Sequence, residues 1–531
     1  MSGEVPNLNN SELWQGVCRL TALTAFEVTD SGLHKECAQH IVAAIRLLTQ
    51  LEWLVIRPPA STAEGVTFER RQHINHLLHN CFGPDMALAL QQLSRLTYLD
   101  MHGTIWKSTI DADPHPLDLS HLQHLRHLDL SDLSCGFVAP FLACVNLSAC
   151  SSLQHLDLSQ RCPDITSLTE SMPALSALTH LSLCFVPRTG AAGVASVLSC
   201  CAHHCAKLCT LQLELDCCEA DQSTLTSMTA LTCLQIEAHM CAAWCSTLTA
   251  FVSLERLNIV DAWSPDVDSL GVAVQSMSQM PQLKSLTFNG VPAEVNYRAH
   301  ERELFLAAFE QLTQITYLQL ASDERLDDVR WDGPFTALAS SLSTLCSLQA
   351  LHIFVGRVSS PPWIRAVDIL PAVSTLPHLR HLHIPATGYL SQEDDIAGGG
   401  GWKASASALA AALKALSSSL ESLDVGPDCG GRRGVQVSSA VPGLVDALCS
   451  HSALTYLSFE VGSVDALLPV TGVLQALPNL QEVFVDDVVR GSSVKSLPSE
   501  VEDALCEVLR HHRHLDVLEV GVKVLDCCRG S

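Results

Sequence analysis

LRHLDL at residues 125–130 and LQHLDL at residues 153–158 are two copies of one pattern, and that pattern decides the fold. It reads Leu-x-x-Leu-x-Leu, with some other apolar residue accepted in the last place. On either side lie LTYLDM from Leu96 and LTHLSL from Leu178, and before them LTAFEV from Leu23 and LEWLVI from Leu51. The series continues as LCTLQL from Leu208, LTCLQI from Leu231, LERLNI from Leu254, LKSLTF from Leu283 and ITYLQL from Ile315. It closes with LQALHI from Leu348, LRHLHI from Leu379, LESLDV from Leu420, LTYLSF from Leu454, LQEVFV from Leu480 and LDVLEV from Leu515. These 17 copies recur at a mean period of about 31 residues, and a fixed motif at such a period marks a solenoid of stacked repeats.

Side chains alternate across a strand, so the fourth and sixth motif residues point inward and the third, fifth and seventh point out. Stacked copies make a parallel sheet, and each repeat needs its neighbours to bury its apolar face. Apolar residues three and four apart precede many copies. In SALAAALKALSSSL they are Leu409, Leu413, Leu416 and Leu420; in VEDALCEVLRHHRHL they are Val501, Leu505, Val508 and Leu509. GLVDALCSHSAL and GVASVLSCCAHHCAKL repeat the theme, and the spacing predicts helices with one buried stripe. The repeating unit is therefore helix, turn, short strand, loop.

On these motifs the chain resembles the leucine-rich-repeat superfamily, nearest its ribonuclease-inhibitor-like class with helices on the convex side. The resemblance covers roughly residues 20–525. It implies an α/β leucine-rich-repeat solenoid, a curved horseshoe with a parallel β-sheet on the concave face, helices on the convex face and about 17 irregular repeats. It also implies a binding protein, since the family consists mostly of inhibitors, receptors and adaptors, with one GTPase-activating type. Two features depart from the family. Its loop ladder of Asn or Cys is replaced by Leu133, Arg161, Val186, Asp216, His239 and Ala262, so other groups must tie the loops. Repeat intervals run from 23 to 45 residues, so curvature is expected to be uneven.

The expected organisation is an N-terminal cap segment at 1–22, a solenoid at 23–525 and a short tail at 526–531. Gly- and Pro-containing insertions fall near 57–72, 103–120, 385–403 and 426–440. Such loops either line a binding face or are tolerated surface excursions. No polar cap is legible after the last motif.

The 531 residues are 47% apolar and 16% charged, with 31 basic against 56 acidic residues and a net charge of −25. That balance argues against nucleic acid or an anionic membrane as partner, since both need a basic footprint. The 23 cysteines are odd in number and include the adjacent pairs Cys200–Cys201, Cys217–Cys218 and Cys527–Cys528, unlike a disulfide framework. With no basic-then-apolar leader and no long uncharged apolar run, the expectation is a reducing, cytoplasmic setting in which the Asn146-Leu147-Ser148 sequon is idle.

On the outward positions the acids are Glu27, Asp100, Asp129, Asp157, Glu214, Glu237, Asp424, Glu460, Glu482, Asp486 and Glu519, against the bases Arg57 and Arg256. Seven histidines join them: His102, His127, His155, His180, His352, His381 and His383. Acids outnumber bases there more than in the whole chain, which points to a wall that attracts a basic protein partner. The candidate binding residues are Tyr98, Asp100, His127, Asp129, His155, Asp157, His180, Glu214 and Glu237. Asp100, Asp129 and Asp157 should stack laterally about 5 Å apart, close enough to raise each other's pKa and to invite a cation or an Arg-rich partner. The plainer reading is that LDLS is repeat filler.

No catalytic residue and no cofactor is expected. There is no nucleophile elbow, no phosphate-binding glycine loop with lysine and no paired His-Glu zinc motif. CCAHHCAKLC, from Cys200, carries zinc-type ligands on a helix, yet the same residues serve as small apolar core groups, and no metal is expected. The histidine clusters at 73–79, 121–127 and 511–514 fit the high total of 24 histidines. The expected function is an intracellular interaction scaffold for a basic protein. The alternatives are GTPase activation, with Arg57, Arg161 or Arg188 as catalytic arginine, and a structural role in a cytoskeletal or ciliary assembly.

Overall fold

The computed structural model describes residues 11–29, 35–57, 84–102, 105–106, 118–131, 134–135, 146–159, 165–185, 190–215, 222–237, 247–260, 267–291, 308–322, 336–354, 366–384, 401–416, 420–425, 443–461, 467–487, 499–512, 514–520 and 523–525. All 17 motif copies are strands, and they divide between two compact units, Met1–His239 and Met240–Ser531.

In the first unit the strands are Ala25–Thr29, Trp53–Arg57, Tyr98–Asp100, His127–Asp129, His155–Leu158, His180–Phe185, Thr210–Leu215 and Cys233–Glu237, each parallel to the next. Register places like on like: Leu54, Leu99, Leu128, Leu156, Leu181, Leu211 and Leu234 are successive partners, none more than 1% exposed. Full burial of each leucine contributes about 1.5–3 kcal/mol. Each copy is entered through a staircase of tight turns. Leu119, Leu122 and Leu125 are linked by bonds from Leu122 N–H to the Leu119 carbonyl and from Leu125 N–H to the Leu122 carbonyl. Residues three apart eclipse in such turns, so a leucine at every third place fills one side before the strand begins. The second motif residue then offers its carbonyl to two successive N–H groups of the next repeat, as Thr97 does to Arg126 and His127.

Parallel strands need a crossover, and helices supply several. Helix Gly190–His204 precedes strand Thr210–Leu215, and Ser11–Cys18 and Lys35–Leu47 stand before the first two strands. In GVASVLSCCAHHCAKL, Val194, Val197, Leu198, Cys201 and Cys205 are buried, as the helical spacing predicts. A separate two-residue ladder pairs Ile105–Trp106 with Ser134–Cys135.

The second unit repeats the plan with strands Arg256–Val260, Ser285–Val291, Tyr317–Ser322, Ala350–Phe354, His381–His383, Ser422–Asp424, Tyr456–Val461, Glu482–Asp487 and Val517–Val520. Helices Gly401–Ala415, Leu444–Cys449 and Ser499–His511 lie where the sequence places them, and Val267–Ser278 is a further one. The helix at Gly401 begins inside the span expected to be loop, because Leu409, Ala412, Leu413 and Leu416 extend its buried stripe and the preceding turn carries it. The last parallel strand is not left open. Lys523–Leu525 pairs antiparallel with it, Leu518 opposite Leu525, and so covers the edge for which the sequence showed no cap. The insertions at 58–72, 107–117, 385–400 and 426–440 lie outside the described residues, as do the loop positions Leu133, Arg161, Val186, Asp216, His239 and Ala262.

Candidate functional site

The outward face of the first unit carries two parallel rows. The third motif position aligns Trp53, Tyr98, His127, His155 and His180 on successive strands. Their rings stack. Trp53 and Tyr98 lie 3.5 Å apart at 4°, Tyr98 and His127 4.1 Å apart at 0°, and His127 and His155 4.2 Å apart at 16°. His155 and His180 are 5.5 Å apart and tilted by 35°. Strand spacing in a parallel sheet is about 4.8 Å, so identical positions on adjacent strands bring flat rings into stacking range. Trp53 heads this ladder. It is 42% exposed, and its register neighbour on the far side is Ala25, which has no ring to cover the second face. Tyr98, His127, His155 and His180 follow from the motif. Trp53 was not among the expected residues, although LEWLVI holds it at the same place.

The fifth position aligns Val55, Asp100, Asp129 and Asp157. Asp100 is fully buried, which corrects the expectation of an open acid there, and it is paired with the guanidinium of Arg57 two positions along the neighbouring strand. That contact raises the Arg57 pKa. Tyr98 Oη stands 3.5 Å from Asp100 Oδ2, and burial raises the pKa of that phenol. Asp100 also accepts the His102 N–H at 3.0 Å, as Asp129 accepts that of Ser131 at 2.9 Å and Asp157 that of Ser159 at 2.8 Å. Each aspartate thus closes the turn that ends its strand. The bond gives LDLS a structural task. Ser131 Oγ adds a 2.6 Å bond to Asp129 and meets His102 Nδ1 at 2.7 Å.

Charge and burial set the titration of this patch. Burial foremost, then the neighbouring His155, push His127 down to about 4, so its imidazole is neutral at pH 7. Burial raises the Asp129 pKa, against its bonds from Ser131, and Asp157 and Asp100 add to the rise. His127 Nε2 and Arg57 Nε are buried and unpartnered.

Glu214 and Glu237 do not join this cluster. They are register partners of each other at the seventh position, with Cys184 beside Glu214 on the other side. Arg57 sits on a strand facing Asp100; Arg161 and Arg188 lie outside the described residues. Several histidines have structural partners. His121 Nε2 meets the Leu90 carbonyl at 3.0 Å, His451 Nε2 that of Leu413 at 2.9 Å and His512 Nε2 that of Leu474 at 2.7 Å, each tying a repeat to the one before. His73, His76 and His79 lie outside the described residues. In the CCAHHCAKLC segment, Cys201 Sγ contacts Met172 Sδ at 3.7 Å and Cys205 Sγ the Leu175 carbonyl at 3.6 Å, both inside the core. Among the described residues no helix is long and apolar enough to cross a membrane.

No family model and no curated protein matches the chain. Among solved structures it is similar to a leucine-rich-repeat protein of Leptospira interrogans, at 12% sequence identity, over 93% of this chain and 90% of that one, with a TM-score of 0.31. The fold rests instead on the chain's own geometry: the recurring motif, the leucine staircase and the parallel ladders alternating with helices make an α/β solenoid of the leucine-rich-repeat type.

Proposed function

We propose that the protein is an interaction scaffold and that the outward face of its first unit receives a basic segment of a protein partner. The observation that supports this reading is the ring ladder running beside the aspartate row. The exposed face of Trp53 is suited to a Lys or Arg side chain by cation–π contact, worth about 0.5–1 kcal/mol at an exposed site. Asp129 and Asp157, both partly exposed, supply counter-charge two and three strands further along the same face. Exposed Trp and Tyr side chains are enriched among the anchors of protein interfaces.

The test is capture from lysate with a photo-crosslinker placed at position 25, beside Trp53, compared with Asp157→Lys and with Trp53→Ser in a conventional pull-down. Asp100 is left intact because its burial makes charge reversal there a folding change. The reading expects basic proteins to be captured, and expects capture to fall with added salt and in both variants. Equal capture by folded Asp157→Lys and Trp53→Ser would sink it.

A further inference from the structure

Two carboxylates and an imidazole converge on the first unit's outward face. Asp100, His127 and Asp129 come from two adjacent strands, and one ligand atom from each lies within 4.8 Å of the others. The imidazole contributes the decisive detail. His127 Nε2 is buried and has no hydrogen-bond partner. A buried polar atom left unpaired is costly, and a ligand that accepts the nitrogen lone pair would remove the cost. The carboxylates have capacity to spare. Asp129 takes its bonds from Ser131 at Oδ1, leaving Oδ2 for another contact. Asp100 holds Arg57 through Oδ2 and the His102 N–H through Oδ1, one bond on each oxygen besides the distant Tyr98 hydroxyl.

The charges point the same way. Asp100, Asp129 and Asp157 are register neighbours, and Arg57 offsets one of their three negative charges. A divalent cation would offset the other two.

We propose that Asp100, His127 and Asp129 form a binding site for a first-row divalent transition-metal ion, of the Mn²⁺ or Zn²⁺ class. Carboxylates alone would suit Ca²⁺ or Mg²⁺, which take oxygen ligands; the imidazole nitrogen shifts preference to transition ions. Three donors about 2.1 Å from one ion stand roughly 3–3.6 Å apart, so a set spread over 4.8 Å closes by about 1 Å when the ion enters. Asp129 and His127 are the two that move, since neither is fully buried, whereas Asp100 is. The bond from Ser131 to Asp129, itself backed by His102, orients one ligand in the way that outer groups usually fix metal-binding carboxylates. Water or a partner's side chain completes the coordination. The site stands independently of the partner reading above, because it needs only these side chains.

The molecule suggests its own conservative variants. Asn146 accepts the Ser148 N–H at 3.1 Å in a turn like that of Asp129 and Ser131, so Asp129→Asn keeps the turn and removes the charge. Tyr98 occupies the next rung of the ladder, so His127→Tyr keeps the stack and removes the nitrogen. The full chain is stripped with chelator and titrated with Mn²⁺, following the free-ion electron paramagnetic resonance signal. Mn²⁺ is the probe because the chain's 23 cysteine thiols favour softer ions. The expected result is one tight site per chain, weakened at least about tenfold in each variant and unchanged in His155→Gln, with circular dichroism the same throughout. No uptake by the wild type, or equal uptake by wild type and His127→Tyr, overturns the proposal. Should Asp129→Asn unfold, His127→Tyr decides by itself.

Discussion

The two units share a skeleton and differ on the face it presents. In the first, the third motif position holds Trp53, Tyr98, His127, His155 and His180 without a break. In the second, the same position reads Ser285, Tyr317, Ala350, His381, Ser422 and Tyr456, so small residues interrupt every potential ladder. Rings there stand further apart: Tyr317 and His352 are 5.1 Å apart and tilted at 36°, and His352 and His383 are 5.8 Å apart at 20°. The acids differ too. The first unit stacks three aspartates against one arginine, whereas in the second Asp424 has His383 and Ser458 as register partners and lies 2.7 Å from His383 Nδ1. Inward residues set the fold, and outward residues are free to specialise. A repeat protein can therefore concentrate a site on one stretch of strands without any change to its core.

If that division holds, the largest effects come from inward leucines and are alike in the two units. Leu128 and Leu351 are both fully buried at the fourth motif position. Leu128→Ala and Leu351→Ala should each cost about 2–5 kcal/mol, the transfer term plus the cavity left behind. Hydrogen exchange of the flanking strands reports the local loss. A cost in one unit several times that in the other would mean that the outward face contributes to stability as much as the leucines do.

Next in size is the ionic contrast. Arg57→Met leaves the Asp100 carboxylate buried without its cation, at about 1–3 kcal/mol. His383→Phe leaves Asp424 with water at hand, since both side chains are 21% exposed, and should cost under about 1 kcal/mol. Urea titrations of the two variants would show the order; a reversed order breaks the claim that the first unit depends on its arginine.

Much of this could be read from the motif, because strand alternation fixes which residues face in and register fixes which stack. The five aligned rings and the aspartate row follow from those two rules alone. What could not be read is contact between positions of different rank. Arg57 reaches Asp100 from the seventh position of one strand to the fifth of the next, across 43 residues of chain. The Asp-to-N–H turns were hidden for a different reason: alternation marks these aspartates only as outward strand residues, and their bonds to the N–H two residues on form in the turn beyond the motif. The antiparallel strand Lys523–Leu525 was missed because three residues carry too little pattern to distinguish edge from tail.

A smaller effect appears in acid. His352 is pushed down to about 4, first by burial and then by His383 and His381, with Asp424 opposing. Its ordinary value is 6.5, so the unfolded chain binds the proton first as pH falls. Its contribution is thus intact above about pH 6.5 and is lost as pH drops towards 4. His352→Phe keeps a ring in place and should flatten the acid limb of a melting-temperature profile between those limits. An unchanged limb would assign the acid sensitivity to other groups.

The finest comparison is stacking itself. Tyr98 and His127 are parallel at 4.1 Å, while Tyr317 and His352 are tilted at 5.1 Å. A double-mutant cycle to alanine isolates the pair term from the loss of buried area. The coupling of Tyr98 with His127 should be about 0.5–1.5 kcal/mol, the usual range for aromatic pairs, and that of Tyr317 with His352 smaller. The continuous ladder adds a further expectation. Each inner ring is held on both faces, so removing His155 should weaken the Tyr98–His127 coupling only if the stack behaves as one body rather than as separate pairs. Coupling that survives His155→Ala unchanged would show that the ladder is a consequence of register, with each contact settled by its own two strands.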